Sequence, residues 1–151
     1  MKYETAIGII VIICLVLIFV YNMFGNKQQQ GRACFKDNCF NVSLALTLDE
    51  QSKGLMFVEH LDDDRGMLFI FDKDGIYPFL MKNTMIPLDI IWIDSNSNVI
   101  FTSRNTQPCK SLICDSINPE KQARYVLEIN AGIADKINLA VGDKITIEYL
   151  K

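Results

Sequence analysis

Positive charge is scarce in this sequence. Its 15 lysines and arginines are outnumbered by 18 aspartates and glutamates, which gives a formal net charge of −3. No basic face and no Lys/Arg block stands out along the chain. The charge distribution therefore does not favour binding to nucleic acid.

The sequence also lacks the standard catalytic signatures. It contains no G-x-S-x-G, H-E-x-x-H or P-loop motif and no Rossmann glycine pattern. Its single histidine, His60, would have to serve any Cys–His nucleophile pair. These patterns indicate no cofactor and no metal site, and they favour a protein that is not an enzyme.

A long apolar run begins close to the N-terminus. Residues 6–20 (AIGIIVIICLVLIFV) include no polar side chain, and a helix needs about 20 residues to cross a bilayer. A signal peptide usually has only about 7–15 apolar residues before a small-residue cleavage site, and none is visible here. We predict a transmembrane anchor at residues 1–25 that contacts the lipid bilayer, a linker at 26–32 and a β domain at 33–151. A cleaved signal and a buried core helix are the alternatives.

Four cysteines follow the apolar run in two pairs of identical spacing. Cys34 and Cys39 flank turn-forming residues, and Cys109 and Cys114 repeat the same spacing later in the chain. Two local disulfides would require an oxidising compartment. One zinc site built from all four thiolates, or free thiols, are the alternatives.

The charges beside the apolar run favour the opposite compartment. Lys2 precedes the run, whereas Lys27, Arg32 and Lys36 follow it, so the positive-inside rule favours a cytoplasmic C-terminal side. Taking the cysteines as the stronger indication, we expect the β domain to lie outside the cytoplasm.

Hydrophobic periodicity predicts mainly strands. Apolar residues alternate from Phe40 to Leu48 as in a half-buried strand. Thr47 and Glu50 fit a capping box, and Gly54 fits a helix stop. Further strands are predicted at 66–71, 76–82, 88–94, 99–103, 125–129 and 145–149, with a turn at 72–75 and a short helix at 130–137. We expect a compact sandwich or barrel-like domain of about seven strands with one or two short helices.

One polar group stands out between the apolar strands. It comprises an ammonium, two amides, a hydroxyl and two carboxylates that we expect to meet at one end of the sheet: Lys82, Asn83, Thr84, Asp89, Glu128 and Asn130. A carboxylate among apolar strands is costly unless it is paired. In the alternative interpretation, Asn83 and Thr84 satisfy backbone groups in a turn and Lys82 pairs with Asp89.

Several segments, taken in order, resemble the domain of unknown function 192 family. They are KGLMF at 53–57, GMLFIF at 66–71, MKNT at 81–84, IPLD at 86–89, Pro108-Cys109 with Cys114, and YVLEINAG at 125–132. The resemblance runs from about Cys39 to Leu150. It implies a compact, mainly β, sandwich-like fold, often behind a signal or anchor, and it implies no activity.

Three residues depart from the family pattern. Lys53 and Val58 stand where arginine is common, and Leu80 stands where tryptophan is common. These changes would weaken any anion or stacking contact that the family makes there.

Three functional hypotheses follow. The first is a membrane-anchored binding or assembly module for a small ligand or an envelope protein, without nucleic acid as a partner. The second is an enzyme whose site uses Lys82, Asp89 and Glu128, and the third is a purely structural role. Convergence of the three ionisable groups in one pocket would favour the enzyme, whereas an apolar or aromatic groove without such convergence would favour binding.

Overall fold

The structure is a computed structural model that describes residues 7, 8, 10–17 and 28–149. Residues 7, 8 and 10–17 are helical, and their apolar side chains are exposed. No helix among the described residues is both long and apolar enough to cross a bilayer. Much of the predicted anchor and linker, at residues 1–6, 9 and 18–27, lies outside the described residues.

Residues 28–149 form one seven-stranded sheet and two short helices. The strands are β1 (Gln30–Phe35), β2 (Asn38–Ala45), β3 (Arg65–Gly75), β4 (Leu88–Ile93), β5 (Val99–Thr106), β6 (Ala123–Asn130) and β7 (Thr146–Tyr149), and the helices are α1 (Leu48–Lys53) and α2 (Ile133–Lys136). Their order in the sheet is β5-β4-β6-β3-β2-β1-β7. The prediction of a mainly β domain with about seven strands and short helices is confirmed.

One parallel pairing interrupts an otherwise antiparallel sheet. Strands β2 and β3 run in the same direction, and the other neighbouring pairs are antiparallel. Parallel neighbours need a crossover connection rather than a tight turn. Helix α1 and the loop at 54–64 make this crossover, which carries the C-terminal end of α1 across one face of the sheet.

The sheet curves until its two edges meet at one end. Asn98, just before β5, bridges to Lys144, just before β7. The Val99 N–H also donates to the Asp143 carbonyl at 2.7 Å. Because β5 and β7 are the outermost strands, these contacts join opposite edges of one curved sheet, so the domain is not built from two packed sheets.

Alternation along each strand divides the core between the two faces of the sheet. Leu127 and Ile129 of β6 belong to the cluster on the inner face, which gathers residues from β1 to β6 together with α2. Val126 belongs to the cluster on the outer face, together with Phe69 and Trp92. The loops around residues 55–61 and 77–86 cover this outer face.

Two local predictions were wrong. Residues 76–82 do not form a strand but make only single bridges, Phe79 to Ile117 and Lys82 to Cys109. Pro78 has no N–H to donate to a ladder. The predicted turn at 72–75 belongs to β3, which continues past a register shift until Gly75 pairs with Ala123.

The predicted alternation in β2 also ends earlier than expected. Val42 and Leu44 are buried, but Leu46 is 38% and Leu48 is 81% exposed. The strand stops at Ala45, and Leu48 is already the first residue of α1. The helix period therefore replaces the strand period at this point and turns Leu48 towards solvent.

Candidate functional site

A cavity of about 300 Å³ lies on the outer face of the sheet. It lies between the end of α1, the strands β3 and β6, and the irregular segment 77–80. Its lining combines aromatic and aliphatic side chains with a few polar groups: Leu48, Gln51, Ser52, Lys53, Gly54, Leu55, Met56, Phe69, Phe71, Tyr77, Pro78, Phe79, Leu80, Thr84 and Glu128. This volume lies at the small end of the range of about 300–1,000 Å³ that is typical of ligand sites.

Local hydrogen bonds fix where α1 begins and ends. The Glu50 N–H donates to the Thr47 hydroxyl, and the N–H groups of Thr47 and Leu46 donate to the Glu50 carboxylate at 2.9 Å. These backbone hydrogen bonds lower the pKa of Glu50. The predicted capping box is therefore present. At the other end the Gly54 N–H donates to the Glu50 carbonyl, so the helix ends beside the cavity.

Four aromatic rings make up much of the cavity wall. The rings of Phe69 and Phe79 meet edge to face, with centroids 4.8 Å apart. Phe71 and Tyr77 stack in parallel at 3.5 Å. The Trp92 indole N–H donates to the Tyr77 carbonyl at 2.8 Å, which fastens the irregular segment to β4. The walls are therefore held by specific contacts to the sheet.

The carboxyl of Glu128 lies at the sheet side of this cavity. Its strand neighbours on the same face are Met67 of β3 and Ile90 of β4. The residue is only 5% exposed. Its buried Oε2 has no hydrogen-bond partner among the described residues, and the described residues provide no lysine or arginine that pairs with it. Buried polar atoms in folded proteins are almost always satisfied, so this oxygen is a ready contact for a bound group.

Burial changes the ionisation of this carboxyl. Desolvation raises the pKa of Glu128 to about 8, from an ordinary value of 4.5. An ionised carboxylate in an apolar site loses its hydration without a compensating partner, which favours the neutral acid. Near pH 7 the group is therefore mainly protonated.

Of the predicted polar group, the structure brings Thr84 and Glu128 to the same cavity. Asn83 forms the turn before Thr84, with φ at +57°, and its carbonyl accepts from the Phe57 N–H at 2.9 Å. Lys82 is exposed, and its backbone bridges to Cys109. The turn interpretation thus describes Asn83, and Lys82 does not enter the cavity lining.

Asp89 lies on the opposite face of the sheet from Glu128. It faces Ile129 across the β4–β6 pairing, whereas Glu128 faces Ile90, and adjacent residues of a strand point to opposite faces. Asp89 is fully buried. Its two oxygens accept from the N–H groups of Asn105 and Ala134, each at 2.8 Å. The pairing of Asp89 with Lys82, which belongs to the alternative interpretation, is therefore wrong, because backbone N–H groups satisfy this carboxylate.

Asn130 belongs to a third environment. It shares the face of Glu128 by alternation, but its side-chain amide donates to the Leu61 carbonyl and to Asp63 Oδ1. It lines a separate depression beside Pro87. The six predicted residues therefore fall into several places, and only two of them line the cavity.

Sequence reasoning missed most of the cavity wall. The sequence predicts Gly54 as a helix stop within the KGLMF motif and Phe69 and Phe71 as part of the strand at 66–71, and neither pattern predicts a cavity. The motif GMLFIF carries Phe69 and Phe71 two residues apart, so period two does place both rings on one face. The partners Tyr77 and Phe79 come from a segment that is predicted as a strand but is irregular in the structure, so strand pairing does not place them.

The cysteines lie in the pairs predicted from their spacing. Cys34 and Cys39 are opposite each other in the β1–β2 hairpin, at disulfide distance. Cys109 and Cys114 are also at disulfide distance, in the loop that follows β5. Residues 28–149, together with the described helical residues, contain no group of three or more ligands placed to hold a metal ion.

Comparison with known proteins shows the family. Residues 31–147 match the model of domain of unknown function 192, described as an uncharacterized ACR. A UPF0127 protein of Thermococcus sibiricus is 26% identical over 112 residues, which cover 71% of this chain and 66% of that protein. The chain thus spans about two thirds of the length of this curated relative.

Two solved structures share the fold. A proposed transcription regulator from Sinorhizobium meliloti superposes with a TM-score of 0.71 at 28% identity, covering 80% of this chain and 93% of the other. A protein of unknown function from Novosphingobium aromaticivorans gives a TM-score of 0.70 at 33% identity, covering 78% and 83%. Because residues 31–147, most of the chain, match the family model, this chain belongs to the domain of unknown function 192 (UPF0127) family.

Proposed function

We propose that the domain is a binding module for a small organic ligand, and that the ligand occupies the cavity at Glu128. The observation that carries this proposal is a buried carboxyl with an oxygen that has no partner among the described residues, on a residue that lines a cavity with aromatic walls. Small-ligand sites are typically concave and apolar, with a few polar groups that orient the ligand. The cavity has this composition.

Binding is favoured over catalysis by the positions of the ionisable groups. An enzyme built on Lys82, Asp89 and Glu128 would need all three around one reacting atom. Asp89 is on the opposite face of the sheet and is held by backbone N–H groups. Lys82 is exposed outside the cavity lining. Glu128 is therefore left as a lone acid, which suits recognition better than a reaction that needs a second group.

A ligand screen tests the proposal directly. The full chain, in detergent micelles, is screened against a library of small metabolites by ligand-observed NMR, and each hit is mapped by amide chemical shifts. We expect hits that perturb Gly54, Phe69 and Phe79, and we expect them to weaken in Glu128→Gln. Glu148→Gln is the matched control, because Glu148 is also a strand glutamate but is exposed. Hits that map to other surfaces, or a library without hits, would contradict the proposal.

We further propose that the module is held at a membrane by residues 1–25, with the β domain outside the cytoplasm. The support is the apolar run at residues 6–20 and the exposure of its described apolar side chains, such as Ile10 and Leu17. The two cysteine pairs at disulfide distance are consistent with an oxidising compartment. Anchoring would keep the binding site close to ligands of the cell envelope.

Fractionation and protease accessibility test this location. In intact cells or spheroplasts, an external protease should digest the β domain, and carbonate washing should leave the chain in the membrane fraction. A variant with two arginines introduced in the run, Ile12→Arg with Val16→Arg, should be released, since each buried charge costs about 2.5–3.5 kcal/mol in insertion. Protection from protease in intact cells would reverse the proposed orientation.

A further inference from the structure

The charge that the cavity would accept follows from two independent features, the carboxyl of Glu128 and the aromatic walls. An unpaired carboxylate attracts a cation, and the face of an aromatic ring does the same through its quadrupole. Neutral hydrogen-bonding ligands would use only the first feature. Both features together favour a positively charged group, and this inference rests on the proposed ligand-binding function.

We propose that the cavity binds a small primary ammonium compound with a short apolar stem, whose N–H donates to Glu128 Oε2. The stem would lie along the walls formed by Phe69, Phe71 and Phe79. A volume of about 300 Å³ suits a compact amine rather than a polymer or a large cofactor.

Gly54 makes room for this contact at the carboxyl. A Cβ atom at this position would lie 3.8 Å from Glu128 Oε2 and 3.2 Å from Phe69 Cζ. A side chain at residue 54 would therefore crowd both the carboxyl and the ring. The proposed ammonium would approach the carboxyl from the cavity that Gly54, Phe69 and Glu128 all line.

The surrounding groups do not compete for this position. Among residues that line the cavity, α1 contributes Lys53, which is exposed, and the segment 77–80 contributes Tyr77, whose hydroxyl donates to the Lys73 carbonyl at 2.7 Å. The cross-strand neighbours Met67 and Ile90 carry no titratable group. Glu128 is thus the carboxyl that would meet the cation, and the exposed Lys53 at the rim disfavours a second positive charge on the stem.

Binding of a cation must then release the proton of Glu128. Burial raises the pKa of Glu128 to about 8, while an alkylammonium stays protonated well above that pH, as lysine does with a pKa of about 10.4. The apparent affinity should therefore follow the ionised fraction of Glu128. It should rise about tenfold from pH 6 to pH 7 and level off above about pH 8.

The test uses three probes of equal length: n-butylammonium, n-butanol and butyrate. Each is titrated into the full chain in detergent micelles between pH 6 and pH 9, with amide shifts of Gly54 and Phe69 as the readout. We expect n-butylammonium to bind at least tenfold more tightly than n-butanol at pH 8, with the pH dependence above. Glu128→Gln should abolish both the preference and the pH dependence, whereas Glu148→Gln should change neither.

Three results would overturn the inference, and they bear differently on the proposed function. Equal or tighter binding of n-butanol or butyrate in the cavity, or affinity for n-butylammonium that does not change with pH, would reject the ammonium ligand but keep the binding site. No shift at the cavity with any of the three probes would also reject the ammonium ligand, and the wider metabolite screen would then decide whether the cavity binds anything.

Discussion

Gly54 and Glu128 line the same cavity, although the two residues are 74 positions apart in the chain. A Cβ atom at Gly54 would lie 3.8 Å from Glu128 Oε2 and would press on the Phe69 ring at 3.2 Å. Gly54 also has φ 48° and ψ −136°, a combination that side chains with a Cβ atom rarely adopt. This glycine therefore ends α1 and keeps the cavity open at its polar end.

The first prediction concerns Gly54→Ala. The strained backbone should lower the free energy of unfolding by about 1–3 kcal/mol, and the added methyl group should narrow the space beside Glu128. We expect a lower Tm together with at least tenfold weaker binding of any ligand that contacts Glu128, measured by thermal melts and NMR titration.

A second glycine separates these two effects. Gly142 has φ 98°, and a Cβ atom there would meet nothing within 4 Å. Gly142→Ala should therefore strain the backbone without filling the cavity, so it should lower Tm and leave ligand affinity unchanged. If Gly142→Ala weakens binding as much as Gly54→Ala does, the loss reflects general destabilisation and not the cavity.

The second prediction is a pH dependence of stability. The pKa of Glu128 is raised to about 8 in the folded chain from 4.5. Its contribution to the free energy of unfolding is therefore fully present below pH 4.5 and is lost as the pH rises towards 8. The free energy of unfolding should fall by up to roughly 1.4 kcal/mol per pH unit in that window. Denaturant melts from pH 5 to pH 9 measure this slope.

Glu128→Gln should flatten the slope. The amide keeps the size of the side chain and stays neutral, so this variant should be more stable than the natural chain at pH 7 and above. The pKa of Glu50 is lowered, so its contribution is lost only as the pH falls below the unfolded value, outside this window. A free energy of unfolding that falls with pH as steeply in Glu128→Gln as in the natural chain and in the reference variant Glu148→Gln would contradict this prediction. That result would show that Glu128 ionises freely in the folded chain.

Local signals in the sequence predicted much of the fold. The capping box at Thr47 and Glu50, the helix stop at Gly54 and the hairpin between Cys34 and Cys39 each depend on residues fewer than eight positions apart. Such features are encoded by short-range hydrogen bonds and backbone preferences. Strand β4 was likewise evident from its run of β-forming residues.

The site was harder to predict because it depends on pairing between distant strands. Alternation shows that Glu128 and Ile129 point to opposite faces, but it does not reveal which residue of β4 lies beside each of them. The register that sets Asp89 opposite Ile129 therefore separated two carboxylates that the sequence suggested would meet. The segment at 77–80 departs from the predicted strand, since Pro78 has no N–H to donate to a ladder, so strand pairing did not predict the wall that it builds.

The third prediction concerns Asp89, which we expect to act only in stability. Its two oxygens accept backbone N–H groups from Asn105 and Ala134, so it ties the end of β5 to the first turn of α2. Asp89→Asn turns an NH₂ group towards one of those donors and should cost about 1.5–3 kcal/mol. Thermal melts should show the loss, while ligand affinity in the cavity stays unchanged. Asp115→Asn, in an exposed loop, should alter neither quantity.

The fourth prediction concerns the cysteine pairs, which should both form disulfide bonds in the native chain. The two bonds should differ in their effect on ligand binding. Non-reducing peptide mapping should link Cys34 to Cys39 and Cys109 to Cys114. Each bond closes a loop of about six residues and should stabilise the fold by about 2 kcal/mol. A peptide joining Cys39 to Cys114, or free thiols in protein taken directly from cells, would contradict local pairing.

The two pairs should affect ligand binding differently because only one supports the cavity wall. In the loop closed by Cys109 and Cys114, the Cys109 N–H donates to the Met81 carbonyl at 3.0 Å. Just beyond this loop, Ile117 exchanges two backbone hydrogen bonds with Phe79. Opening this loop with Cys109→Ser and Cys114→Ser should loosen the wall and weaken binding several-fold. The matched double variant at Cys34 and Cys39 opens a hairpin outside the cavity lining, so it should lose similar stability and retain affinity. Equal losses of affinity in both variants would mean that the loop after β5 does not hold the wall in place.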